Sequence, residues 1–311
     1  MLNSLVGNRE IKETIKNIVQ SGRFPHAFII EGEKGSGRHT LAKILAAAAI
    51  CQSDNAPCQN CRECDLIEKD SHCDVLTYKP DGATFKVDTV REIRENAFIT
   101  PVEAKRKVNI LLDCDKMNES AQNAFLKVLE EPPSFMVFIL ICQNASALLT
   151  TVRSRCVTLT VQNPEPKEAE DYIKLKTGKS ERDIVEALSD SHGNIGKALD
   201  ILSGTAAEGL KVAKEVFGAI INRDRLAALK SIHSVEKDRL EFMSFIVEFR
   251  LLMQREAVKC AQNESRLKMS AVAKILKTAE DTEMLLTRHV GQPLSISLTA
   301  TTLCAQIFAD M

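Results

Sequence analysis

Residues 32–40 read Gly-Glu-Lys-Gly-Ser-Gly-Arg-His-Thr, and this glycine loop limits the choice of fold more than any other segment. A short apolar run, His26-Ala27-Phe28-Ile29-Ile30, enters it from Pro25, and helical character resumes at Thr40-Leu41-Ala42-Lys43-Ile44-Leu45-Ala46. Strand, glycine turn and helix in that order open a phosphate-binding α/β unit. Two further continuous apolar runs, Val108 to Leu112 and Met136 to Ile141, have the pattern of strands covered on both faces, which is how parallel sheets are buried. A helix over Ser120 to Glu130 separates them and stops at Pro132-Pro133. The spacing also predicts a helix from Leu5 to Gln20, ended by Ser21-Gly22, and a last strand at Val157 to Val161.

Asn163-Pro164-Glu165-Pro166 is the clearest linker. Everything beyond it reads as helical: a small module over 164–205, ending near Gly204, and then long periodic stretches over 206–311 with Pro293 as the only proline. With 311 residues, two or three domains are expected. Hydrophobic residues at 44% and charged residues at 27% suit folded cores and exclude a disordered chain. Lys+Arg 41 against Asp+Glu 42 leaves no net charge to attract nucleic acid, so any such contact needs a local patch or a partner. The N-terminus lacks an apolar stretch of signal-peptide type, and no run approaches the ~18 apolar residues of a membrane span. A cytoplasmic protein with no membrane partner is expected.

Ten cysteines are many for that compartment, where thiols stay reduced. Cys51, Cys58, Cys61 and Cys64 form C-x6-C-x2-C-x2-C, a spacing that suits structural zinc, since two-residue gaps let neighbouring sulfurs face one ion. Four thiolates leave no open coordination place, so the expected zinc is structural and not catalytic. Cys73, Cys114, Cys142, Cys156, Cys260 and Cys304 are scattered and read as small hydrophobes. None has a histidine at a spacing that suggests a base.

A working phosphate loop reads G-x-x-x-x-G-K-[ST]. Here Gly32, Gly35 and Gly37 keep the turn, Arg38 stands at the lysine position, His39 at the hydroxyl position, and Thr40 follows. Arginine is larger and forked, and histidine is a poor ligand for magnesium, which takes oxygen. Three readings fit the loop alone: an active NTPase, a vestigial loop, and a tight turn unrelated to nucleotides.

Arg23-Phe24-Pro25-His26-Ala27-Phe28, the glycine loop, the four-cysteine insertion, Asn123-Ala124-Phe125-Leu126-Lys127-Val128-Leu129-Glu130-Glu131-Pro132-Pro133 and Ser154-Arg155-Cys156 follow one another in the order seen in bacterial clamp-loader ATPases. The chain resembles that family, and within it the delta-prime branch. The resemblance implies an AAA+ α/β domain of P-loop type over 1–163 with its zinc module at 51–64, a helical lid over 164–205, and an all-α collar over 206–311 that joins a five-subunit ring. On the same alignment the acidic pair that serves magnesium and water falls on Leu112 and Asp113, so the first carboxylate is missing. Asp113 stands either for the water-activating residue or, with Asp115, for a solvated strand end. Gln143 falls on the sensor position of the next strand. In the lid, Gly193-Asn194-Ile195-Gly196-Lys197-Ala198-Leu199 is similar to the second sensor segment, but Gly196 occupies the arginine position, and helical rotation is expected to turn Lys197 away.

Phosphoryl transfer needs metal, charge neutralisation and an oriented water together, so ATP hydrolysis with magnesium is not expected at this chain's own site. The arginine that survives, Arg155, corresponds to the family's finger toward a neighbour's ATP; a surface salt bridge is its plainer reading. The implied partners are gamma/tau ATPase subunits and a delta subunit in a hetero-pentameric ring, with primer-template DNA reached through the assembly and the sliding clamp contacted indirectly.

Overall fold

A computed structural model of the chain describes residues 2–82, 84–204, 208–236, 238–265, 267–288 and 305. Two compact units are present, Met1–Leu202 and Ser203–Met311. In the first, five strands form one parallel sheet: β1 (Ala27–Glu31), β2 (Val75–Tyr78), β3 (Lys107–Leu111), β4 (Met136–Cys142) and β5 (Val157–Thr160) lie in the order β2-β3-β4-β1-β5. β4 and β1 occupy the centre, and β4 is buried along its whole length.

Strand alternation divides the core in two. Phe28, Ile30, Val108, Ile110, Val137, Ile139 and Ile141 point to one face, where α1 (Arg9–Ser21), α2 (Arg38–Ile50) and α3 (Arg62–Glu68) cover them. Ala27, Ile29, Leu111, Met136, Phe138 and Leu140 point to the other, under α4 (Val87–Ala97) and α5 (Glu119–Glu130). Each large side chain fully buried in this way contributes about 1.5–3 kcal/mol. The short α6 (Thr150–Arg153) leads into β5.

The three strands and the α5 helix expected from the apolar runs are present, and β5 closes one sheet edge. The first helix begins later than its periodicity suggested: Gly7 and Asn8 take left-handed φ values of 62° and 51°, which interrupt the helix, and Leu5 folds separately into the core. β2, α3 and α4 lie in a stretch for which the sequence reading assigned no regular elements.

After the 162–165 linker, α7 (Pro166–Thr177), α8 (Glu181–Asp190) and α9 (Ile195–Ser203) enclose a small core of their own around Ala169, Ile173, Ile184, Ala187, Leu188 and Ala198. Pro at the first position of α7 and Gly178 as its left-handed cap fix its two ends. The described residues of the second unit form α10 (Glu208–Ile221), α11 (Arg225–Val235), α12 (Arg239–Ala261) and α13 (Met269–Arg288), joined by short turns, with no strand among them. Its core is built on Phe242, Phe245, Phe249 and Met253, which recur along one face of α12. Pro293 and Cys304 lie outside the described residues. No helix among the described residues is long and apolar enough to cross a membrane.

Candidate functional site

The glycine loop runs from the end of β1 to Arg38, the first residue of α2, at the C-terminal edge of the sheet where open α/β folds place their ligands. Gly35 and Gly37 hold φ values of 90° and 103°, which side chains other than glycine rarely adopt. Arg38 is buried at 3% exposure, and its Nε and Nη1 have no hydrogen-bond partner among the described residues, nor does the buried Ser36 hydroxyl. Orphaned donors of this kind suit an anion.

The metal half of a nucleotide site does not fit. His39 replaces the hydroxyl, and partial burial followed by the Arg38 guanidinium holds its imidazole below its ordinary value, against the pull of Asp113. Leu112 stands where the resemblance expects the first carboxylate. Asp113, in left-handed conformation at φ 49°, accepts from Lys116 Nζ at 3.0 Å, and Asp115 accepts from the Gln143 backbone N–H at 3.2 Å. Asp113 is thus engaged by Lys116, while Asp115 keeps a buried Oδ1 without a partner among the described residues. With His39 and Leu112 at the other two positions, the residues present do not form a magnesium–nucleotide site.

The lid closes on this loop directly. The Gly196 N–H donates to the Gly35 carbonyl at 3.0 Å, and Asn194 Nδ2 donates to the Lys34 carbonyl at 3.0 Å. Asn194 Oδ1 at the same time accepts from the Lys197 N–H at 3.1 Å, capping the start of α9. A Cβ at Gly196 would stand 2.6 Å from Gly35 Cα and 2.7 Å from its carbonyl oxygen, so no side chain fits at the arginine position. Lys197 does not turn away as expected: its ammonium lies 3.8 Å from Glu33 on the loop. The tip of the loop meets the start of α9, which brings Glu33 within reach of Lys197. The sequence places Asn194 only within the 193–199 segment; its position just before a helix signals the cap, but its bond to the Lys34 carbonyl needed the fold.

The four cysteines come together. Their sulfurs all lie within 4.8 Å of one another, and Cys51 and Cys61 are 3.9 Å apart, close to the ~3.8 Å separation of sulfurs around a tetrahedral zinc. Cys51 caps α2 and Cys61 caps α3, where its sulfur accepts from the Cys64 N–H at 3.5 Å. Burial pushes the Cys51 and Cys64 thiols up, whereas the Asn60 N–H and then the Cys61 thiol bring Cys58 down to about 6. The set suits one zinc ion.

His72, Cys73 and Asp74 form a second cluster of metal-ligating types. His72 and Asp74 are already engaged: His72 Nδ1 accepts from the Asp74 N–H at 3.0 Å, so the ring proton lies on Nε2 and faces Glu63 at 2.6 Å, and the Asp74 carboxylate accepts from the N–H groups of Val102, Glu103 and Ala104. This cluster is structural and ties α3 to β2.

Arg155 follows α6 at the opposite side of β5 from the linker. Its Nη2 lies 2.9 Å from Glu130 Oε1 in an ion pair, and its Nη1 donates to the Thr151 carbonyl at 2.8 Å. Cys156 is set into the core beside it, its thiol pushed up to about 12 by burial. The buried Gln122 on α5 fixes the approach to α6, donating to the Met117 and Ala147 carbonyls at 3.0 and 3.2 Å and accepting from the Leu149 N–H at 2.7 Å. Neither Glu130 as a partner nor Gln122 was read from sequence, because both contacts join segments distant in the chain.

A parallel sheet with a glycine loop after β1, a three-helix lid resting on that loop and a helical tail define the AAA+ class of fold. Among solved structures, a DNA polymerase III gamma subunit-related protein from Thermotoga maritima superposes with a TM-score of 0.54 at 21% identity, covering 95% of this chain and 99% of that one. The family model described as DNA polymerase III, delta subunit, matches residues 7–165, just over half of the chain, which belongs to the clamp-loader delta-prime family. The Bacillus subtilis DNA polymerase III subunit delta-prime is 32% identical over 61% of this chain and 58% of its own length, so this chain matches under two thirds of that relative. The DNA polymerase III subunit gamma of Buchnera aphidicola is 26% identical over 78% of this chain and 74% of its own.

Proposed function

We propose that the chain is a non-hydrolysing member of a cytoplasmic, hetero-pentameric clamp-loader ring with gamma/tau-type ATPase subunits and a delta subunit. Arg155 acts on the ATP of the adjoining ATPase subunit while the assembly places a sliding clamp on primer-template DNA. Contact with DNA and clamp runs through the assembly. The division into an AAA+ domain over 1–163, a lid over 164–205 and a collar over 206–311 belongs to this reading, as does a purely structural zinc at 51–64.

One contrast carries it. The chain's own loop lacks its metal-binding groups and is capped by the lid through Gly196, while Arg155 is half-exposed at the other side of the sheet. A cation placed on a γ-phosphoryl group offsets the charge that builds there and controls turnover. In a reconstituted assembly in which only the adjoining site is competent, Arg155→Ala is expected to slow single-turnover hydrolysis about 10³-fold or more. An unchanged rate removes the finger assignment. The broader match to the Buchnera gamma subunit favours a second reading, an active ATPase subunit of the same loader. Turnover by the isolated chain separates the two.

A further inference from the structure

We infer that Glu130 is the positioning residue for Arg155, an inference that rests on the finger role proposed above. Glu130 is the last residue of α5, and Pro132-Pro133 ends the helix immediately beyond it, so its carboxylate is carried by a rigid element and not by a loop. Arg155 lies in the turn between α6 and β5, more than twenty residues away in the chain, and only the fold brings the two side chains to 2.9 Å.

The guanidinium has five N–H donors. The Thr151 carbonyl takes one on Nη1, with Ser154 Oγ at 3.4 Å from the same nitrogen, and Glu130 Oε1 forms an ion pair with Nη2 at 2.9 Å. Among the described residues neither Nε nor Nη2 makes a hydrogen bond. The side chain is therefore held at Nη1 by a hydrogen bond and at Nη2 by the ion pair, with the Nε and Nη2 donors left for an incoming oxyanion. An arginine free in solvent would have to give up ~2 kcal/mol of rotamer freedom when it engaged a phosphate, and a fixed one has largely done so beforehand.

The pair is too exposed to be a lock. Arg155 and Glu130 side chains are 35% and 49% accessible, and ion pairs of that kind are weak and screened by salt. Glu130 thus orients the cation without sequestering it, and its contribution lies in geometry, where small misplacements are costly in rate.

The test uses the full chain in the reconstituted ring, with single-turnover hydrolysis of ATP at the adjoining subunit as readout. Glu130→Ala is expected to lower kcat on the order of tenfold with KM for ATP little changed, and Glu130→Gln, which keeps the acceptor oxygen, to recover part of the loss. Because Glu130 works through Arg155, the double variant with Arg155→Ala should be no slower than Arg155→Ala alone. If Arg155→Ala slows hydrolysis but Glu130→Ala does not, or if the two losses multiply, the positioning role is overturned while the finger role stands. If Arg155→Ala itself changes nothing, the finger role falls and the positioning role with it.

Discussion

At Gly196 the absence of a side chain has a positive structural reason. The start of α9 touches the backbone of the glycine loop, and any Cβ there would meet Gly35 at 2.6 Å. Gly196→Ala should therefore force the lid off the loop and cost about 1–3 kcal/mol, read as a lower denaturant midpoint with unchanged slope. Gly196→Arg is expected to do the same without restoring nucleotide turnover, since the metal groups are still missing. Asp74 offers a separate test of how the α4–β3 connection is held. Burial opposes its charge, but the N–H groups of Val102, Ala104 and Glu103, at 2.7, 2.8 and 2.9 Å, outweigh that and hold the carboxyl below its ordinary value of 3.8. A depressed folded-state value means the stabilisation is complete above about pH 4 and is lost as pH falls through the lower, folded value. Asp74→Asn should accordingly cost about 1.5–3 kcal/mol at neutral pH, a difference that shrinks on acidification below pH 4 in equilibrium unfolding.

Among the elements, those with both faces buried were the easiest to read. Val108 to Leu112 and Met136 to Ile141 are unbroken apolar runs because helices cover the sheet on both sides, and α5 announces itself through its periodicity and the prolines after it. β2 escaped because it is a four-residue edge strand, half-exposed along its length, whose mixed Val-Leu-Thr-Tyr pattern has no continuous apolar core. In α4 the signal was present, with Val90, Ile93 and Ala97 on one face, but charged residues fill the positions between them. The cysteine spacing disclosed the ligand set but not α3, which is only seven residues long and takes its start from Cys61. Metal analysis of the purified chain is expected to find one zinc, lost in Cys61→Ser. Because Ala56, Cys64 and Ile67 belong to the core over α2, that loss should lower the unfolding midpoint, by about 2–4 °C for each kcal/mol in a unit of this size. A variant that retains both zinc and midpoint would remove the metal role.

For the molecule as a whole, the proposed function parts the two ends of one nucleotide apparatus. Lid and loop are joined by hydrogen bonds that need no nucleotide, and the residues that would bring magnesium are replaced or engaged elsewhere. Arg155 stays accessible and oriented. Contacts across the chain decide this picture: the loop motif marked Arg38 and His39, and the family resemblance marked Leu112 and Gly196, while the closure through Asn194 and the pairing of Arg155 with Glu130 needed the fold. Steady-state ATP hydrolysis by the isolated, zinc-loaded chain in the presence of magnesium is the most direct measurement. The account predicts no turnover above the uncatalysed rate. Sustained hydrolysis that is abolished by Asp113→Ala would contradict it.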